Sequence, residues 1–254
     1  MEGLLVTGTD TGAGKSIVAA ALIAAMAAAG ERVRAHKPAV TGLDEPPGTW
    51  PPDDVLLGAM AGMSREEVTP LRYGPAVSPQ LASELAGEPI DPDALHAAAR
   101  AASAPGPLVV EGAGGLLSPL AVDFTVCDLA SALGLPVVIA APPGLGTINH
   151  SLLTLRAARG AGLTVAALVL TPWPANPSEL ERSNRETLAR MGELDVHGLP
   201  PVSGPEPAEL ARAGASLPWS EWLGRAPVQA LAAATTASVT RSRSSRPITY
   251  GGIV

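Results

Sequence analysis

Short apolar runs alternate with helical patterns along most of the chain. Five runs read as strands: "GLLVTG" (3–8), "RVRAHKPAV" (32–40), "PLVVEGAGG" (107–115), "LPVVIAAPPG" (135–144) and "LTVAALVLTPW" (163–173). Most carry Val, Leu and Ile at successive positions, as strands buried on both faces do. Apolar residues at three- and four-residue spacing predict helices over 15–29, 94–103, 125–133, 149–161 and 178–191. This alternation predicts an α/β fold: a mostly parallel sheet with helices on both faces. Ligands bind such sheets at the carboxyl ends of the strands, and three of these runs end in glycine-rich or polar sequence. The most apolar stretch, "IVAAALIAAMAAAG" (17–30), is mostly alanine and follows Asp10 and Lys15 rather than a basic leader. It is shorter than the about 20 residues that cross a bilayer, and it reads as a buried helix.

Composition narrows the class. With 46% hydrophobic and 16% charged residues the chain can bury a sizeable core, and with 3% aromatics that core must be aliphatic. One domain is expected over 1–225. Beyond it periodicity is lost in "RSRSSRPITYGG", and 226–254 is expected to be a disordered tail. A net charge of -7 argues against a nucleic-acid partner. The single cysteine, Cys127, excludes an internal disulfide and fits a reducing, cytoplasmic setting. No membrane partner is expected.

The stretch "GTDTGAGKS" (Gly8–Ser16) stands between the first strand and the first helix. A phosphate loop usually places four residues between its first glycine and Gly-Lys-Ser. Here five separate Gly8 from Gly14. The physical requirements are met nonetheless: a strand, a flexible loop, and a helix N-terminus whose N–H groups converge on an anion. Lys15 can reach phosphates and the Ser16 hydroxyl can take a metal ion. Lysine usage reinforces the reading. Of seventeen basic residues fifteen are arginine, and the two lysines are Lys15 and Lys37, the latter in "HKPAVTG" near the end of the second strand. A compact ammonium suits a crowded phosphate site better than a planar fork. For a metal, "VVEGAGG" offers Glu111, and "PPDDVLLG" offers Asp53 and Asp54 at a helix start. The residues alone leave open which aspartate faces a metal, because each also suits a helix cap.

The set "VTGTDTGAGKS", "HKPAVTG", "SPQLASE", "VEGAGGLLSPL", "DLASALGLPVVIAAPPGLGTINHS" and "SNRETL", in this order over roughly 3–225, resembles the dethiobiotin synthetase family, whose phosphate loop has the same spacing. The resemblance implies a P-loop NTPase fold and an ATP- and Mg²⁺-dependent synthesis from diaminopelargonate (7,8-diaminononanoate) and CO₂. It implies catalytic roles for Lys15, Lys37 and Thr11. Nucleotide contacts would come from Gly12, Ala13, Gly14, Lys15, Ser16, Ile17, Asp54, Glu111, Gly112, Ala113 and Gly114. The base would meet Thr171, Pro172, Pro201 and Val202, and Ser16, Asp54 and Glu111 would hold the metal. Substrate would meet Thr41 and, from the neighbouring subunit of a homodimer, Gly146, Thr147, Ile148 and Asn149. Two positions depart from the family. Gly12 stands where many members carry an acid, and Thr171 where many carry an asparagine that reads the base. A regulatory ATPase of the ParA/MinD type is the alternative; it usually carries an extra lysine at the loop's start, and no lysine precedes Lys15 here. An amidotransferase-type synthetase would need a further glutaminase domain, for which the chain has no room.

Overall fold

In chain order the elements are β1 (Gly3–Gly8), α1 (Lys15–Ala28), β2 (Arg34–His36), α2 (Asp53–Ala61), α3 (Arg65–Val68), α4 (Pro79–Ala86), α5 (Pro92–Ala102), β3 (Leu108–Glu111), β4 (Pro119–Ala121), β5 (Phe124–Thr125), α6 (Val126–Leu133), β6 (Val137–Ala141), α7 (Thr147–Gly160), β7 (Val165–Leu170), α8 (Glu179–Gly192), β8 (Val196–Gly198), α9 (Pro207–Gly214) and α10 (Trp219–Trp222). This computed structural model describes residues 1–46 and 48–224, so the tail expected over 226–254 lies outside the described residues.

Six strands form one sheet in the order β2-β3-β1-β6-β7-β8, and every neighbouring pair is parallel. Alternation along β1 sends Leu4 and Val6 into one core and Leu5 into the other. The first core is closed by α1, α2, α9 and α10, the second by α5, α6, α7 and α8. α1 is buried nearly all round, which its alanines permit by letting neighbouring helices approach closely. The expected α/β architecture with helices on both faces is therefore present, and among the described residues no helix is long and apolar enough to cross a membrane.

The differences from the sequence reading have local causes. The run 32–40 is not one strand: β2 stops at His36, because Pro38 has no N–H to continue the ladder. The chain leaves the sheet and pairs with 68–73 instead, through Lys37 N to Val68 O at 2.9 Å, Val40 N to Leu71 O at 2.9 Å and Tyr73 N to Val40 O at 2.8 Å. The short elements α3, β4, β5, β8 and α10 have too few residues for periodicity to reveal.

His36 is 1% exposed, and its Nε2 has no hydrogen-bond partner among the described residues. Burial pulls its pKa down to about 4, against an opposing hydrogen bond to the Val68 backbone. The unfolded chain therefore binds a proton more readily, and the stability this neutral imidazole carries at pH 7 is lost as pH falls from about 6.5 toward 4. Between pH 7 and pH 5 the wild type should lose about 2 kcal/mol of unfolding free energy more than His36→Leu does. Urea unfolding of the two proteins across that range checks this; parallel pH profiles would refute it.

Candidate active site

β1 delivers the chain to Gly8, and α1 begins at Lys15. Gly14 caps α1 with φ 90°, a left-handed conformation, and among the described residues no side chain caps the helix, which leaves its first-turn N–H groups for an anion. Gly14 is required on a second count: a Cβ there would lie 2.3 Å from Cγ2 of Thr171, the residue that follows β7. Thr11 N donates to Asp10 Oδ1 at 2.7 Å, and Lys15 Nζ donates to the Asp10 carbonyl at 3.0 Å. Burial holds the Lys15 ammonium below its ordinary pKa, with Glu111 opposing. Ala13 is buried beneath the loop and Ile17 packs on the sheet core, so toward a ligand these two offer backbone.

Four elements converge on a cavity of about 590 Å³ whose lining includes Lys15, Ser16, Lys37, Asp53 and Glu111. Glu111 Oε1 accepts from Ser16 Oγ at 2.8 Å and lies 2.9 Å from Lys37 Nζ. Lys37 Nζ also reaches Asp53 Oδ2 at 2.8 Å and the Gly112 carbonyl at 3.4 Å. Burial lowers the Lys37 pKa, but the carboxylates of Glu111 and Asp53 more than offset it and hold the ammonium above its usual range. Burial, with Asp53 nearby, pushes Glu111 up despite Lys37. Asp53 is held low because Lys37 overcomes its burial. Oxygen donors suit Mg²⁺. Ser16, Asp53 and Glu111 supply them, and Glu111 Oε2 is buried with no hydrogen-bond partner among the described residues, as an oxygen kept for a cation would be. The residues present fit the ion.

Asp54, expected in this set from the resemblance, does not line the cavity. Successive residues on a helix point about 100° apart, so only one of the two aspartates can face the cavity. Asp53 does. Asp54 is wholly buried behind α2, its Oδ2 accepting from Arg65 Nε at 3.2 Å and lying 3.0 Å from Arg72 Nε.

The other expected residues divide four ways. Thr11, Gly12, Thr41, Ala113 and Gly114 line the cavity. Gly112 supplies its carbonyl to Lys37. Thr171, Pro172, Pro201 and Val202 follow β7 and β8, joined by Trp173 N to Leu199 O at 2.8 Å. Thr171 touches the phosphate loop, Pro172 and Pro201 are exposed, and Val202 leans on the core beside α1 and α9. Gly146, Thr147, Ile148 and Asn149 open α7 and contribute nothing to the cavity lining. Thr147 turns inward, 3.3 Å from Ser151 Oγ, while the adjacent Leu145 is 92% exposed.

Two lining residues escaped the sequence reading as functional positions. Ser118 accepts from Gly115 N at 2.8 Å, and Gly114, at φ 68°, has no room for a Cβ beside that hydroxyl. Ser78 caps α4 by accepting from Leu81 N and also lines the cavity. Both lie within quoted motifs, but a serine in a turn carries no distinguishing signal.

Comparison with known proteins agrees in extent with this architecture. A family model described as an AAA domain matches residues 2–204. The ATP-dependent dethiobiotin synthetase BioD of Mycobacterium sp. (strain KMS) is 40% identical over 227 residues, covering 88% of this chain and 98% of that protein. The protein of the same name from Anaeromyxobacter sp. (strain Fw109-5) is 42% identical over 205 residues, 76% of this chain and 91% of its own. Among solved structures, the cell division ATPase MinD of Pyrococcus furiosus aligns with a TM-score of 0.47 at 18% identity, over 84% of this chain and 89% of that one; at that level the likeness carries no functional weight.

The contact between Gly14 and Thr171 can be tested directly. Gly14→Ala should destabilise the protein by about 1–3 kcal/mol through its left-handed backbone and the clash, and weaken nucleotide binding. Adding Thr171→Ser, which removes the Cγ2 methyl, should recover part of the loss. A thermal-melt double-mutant cycle measures this; strict additivity would show that the two residues do not press on one another.

Proposed function

The chain belongs to the family of ATP-dependent dethiobiotin synthetases, and we propose that it carboxylates and closes 7,8-diaminononanoate to dethiobiotin, with ATP as co-substrate. The observation that carries this reading is the convergence of both of the chain's lysines, with Ser16, Asp53 and Glu111, in one cavity beside a phosphate loop. In this reaction one amine of the substrate adds to CO₂, giving a carbamate. A carbamate oxygen takes the γ-phosphoryl group from ATP, forming a carbamic-phosphoric anhydride and ADP. The second amine attacks the carbonyl carbon and phosphate leaves as the ureido ring closes.

Nothing in this sequence demands a side-chain nucleophile. Phosphoryl transfer is catalysed by positioning and by charges fixed where negative charge develops. In this reading the free N–H groups of the loop and Lys15 hold the phosphates, and Thr11 lies beside the transferred group. Lys37, kept protonated by its two carboxylates, stands between carbamate and γ-phosphate. Thr41, which also lines the cavity, takes the carbamate end of the substrate. Ser16, Asp53 and Glu111 are the residues that would hold Mg²⁺, whose chemistry there is to draw off charge from the phosphate oxygens.

The start of α7 enters this reading from a second subunit. Its N-terminus has no side-chain cap, so it suits a carboxylate, yet it does not face the cavity of its own chain. A homodimer that brings it against the partner's cavity would supply that contact and cover Leu145 and Leu153, which are 92% and 56% exposed. A cytoplasmic location belongs to the same proposal.

Purified protein should release phosphate from ATP, with Mg²⁺ and bicarbonate, only when 7,8-diaminononanoate is added, and dethiobiotin should appear by mass. Lys37→Ala should lower that rate about 100-fold or more, and Asp53→Asn should act through the Mg²⁺ requirement. ATP hydrolysis indifferent to the diamine would refute the proposal and favour a regulatory ATPase.

A further inference from the structure

Asp53 and Asp54 share the first turn of α2 and serve different ends. Asp54 has no exposed surface. Its Oδ1 accepts from Val55 N at 3.0 Å and its Oδ2 from Arg65 Nε at 3.2 Å. Arg72 Nε lies 3.0 Å from the same Oδ2, an ion-pair contact without hydrogen-bond alignment. A buried carboxylate stripped of such partners is strongly disfavoured, so the group holds to one geometry.

What the two arginines are attached to gives the cluster its meaning. Arg72 pairs with Val40 in the bridge that follows Lys37, and Lys37 N itself donates to Val68 O at 2.9 Å. The arm bearing Lys37 and the segment 68–73 are thus one hydrogen-bonded unit. Asp54 ties α2 to that unit, and Asp53 reaches back from α2 to Lys37 at 2.8 Å. The interactions close a ring: Lys37 to Val40 and Arg72, Arg72 to Asp54, Asp54 to its neighbour Asp53, and Asp53 to Lys37. Besides this ring the turn has its own backbone hydrogen bonds, Val55 N and Leu56 N to Pro52 O at 3.0 and 2.9 Å. Pro52 caps α2 without a side-chain hydrogen bond, and a proline-rich loop precedes it. Leu56, Leu57 and Met60 bury the helix against the core, but apolar packing is not directional.

We propose that Asp54, Arg72 and Arg65 are positioning residues that aim the Asp53 carboxylate, and so set the affinity of the site for its divalent cation. This rests on the reading of Ser16, Asp53 and Glu111 as the metal end of the site. The competing account is that Asp54 neutralises two arginines and contributes only stability.

Mn²⁺ binding in the presence of ADP, followed by electron paramagnetic resonance of the free ion, separates the two without requiring turnover. Arg72→Gln should weaken Mn²⁺ binding about 10-fold, as loss of outer partners of metal ligands does, while binding of metal-free ADP stays unchanged. Arg72→Lys should recover part of it, and Asp54→Asn should match Arg72→Gln. Should Asp54→Asn fail to fold, the double variant Asp54→Asn with Arg72→Gln, which removes both charges, is read in its place. A folded Arg72→Gln that melts earlier but binds Mn²⁺ as the wild type does overturns the proposal. Asp53→Ala distinguishes its two layers. If Asp53→Ala loses Mn²⁺ while Arg72→Gln keeps it, only the positioning role falls. If Asp53→Ala also binds as wild type, the metal assignment is wrong and the proposal falls with it.

Discussion

Lys37 and Glu111 are both almost free of solvent, 4% and 0% exposed, and stand 2.9 Å apart. Neither charge is tolerable there without the other, and most of the architecture around them serves to keep them together. The sheet register does the first part. His36 pairs with Val110 in the β2–β3 ladder, so Lys37 and Glu111, each the next residue, leave the two strands level with one another. Val6 of β1 pairs with Glu111, which sets the phosphate loop, two residues further on, beside the same point. A one-residue slip in either pairing would turn Lys37 or Glu111 to the other face of the sheet. The aliphatic cores on both faces, which hold the register, are in that sense part of the site.

The sheet and its major helices were legible because they rest on patterns longer than a turn: the apolar runs and three-to-four spacing located five strands and five helices within a few residues of where they lie. Lysine rarity located Lys15 and Lys37, since against an arginine background each stands out. What was not legible depends on direction rather than on pattern. Asp53 and Asp54 are chemically identical neighbours, and which one faces the cavity is fixed by how α2 lies against α1 and by the arginines behind it. Neither is a local property of "PPDDVLLG". The same holds for Ser118, whose role comes from a turn that carries its hydroxyl back to Gly115 N.

In the proposed reading the pair of aspartates would hold a metal ligand without rigidity in the ligand itself. Asp53 keeps 36% of its side chain exposed, as a group that must exchange partners with an incoming ion should. In that proposal order is supplied one residue away, by a carboxylate with no exposed surface, paired with Arg65 and Arg72. Dividing the two tasks between adjacent positions lets the first remain adaptable while the second carries the desolvation cost.

Across the sheet the site has a second end. From β2 to β7 there are four strand spacings, about 19 Å at roughly 4.8 Å each, with Lys37 at one end and Thr171 at the other. In the proposed reading the phosphates lie over the loop after β1, between these ends, and the base lies toward β7 and β8. The two ends are chemically unlike. At the first, fixed charges meet the phosphoryl group. At the second, Thr171, Pro172, Pro201 and Val202 offer one hydroxyl and apolar surface, and no side-chain amide. A site that hydrogen-bonds a ligand's polar edge rejects analogues lacking it strongly, whereas an apolar slot discriminates only weakly. In that reading selectivity is concentrated where the chemistry occurs, and the base end serves chiefly to place the phosphates.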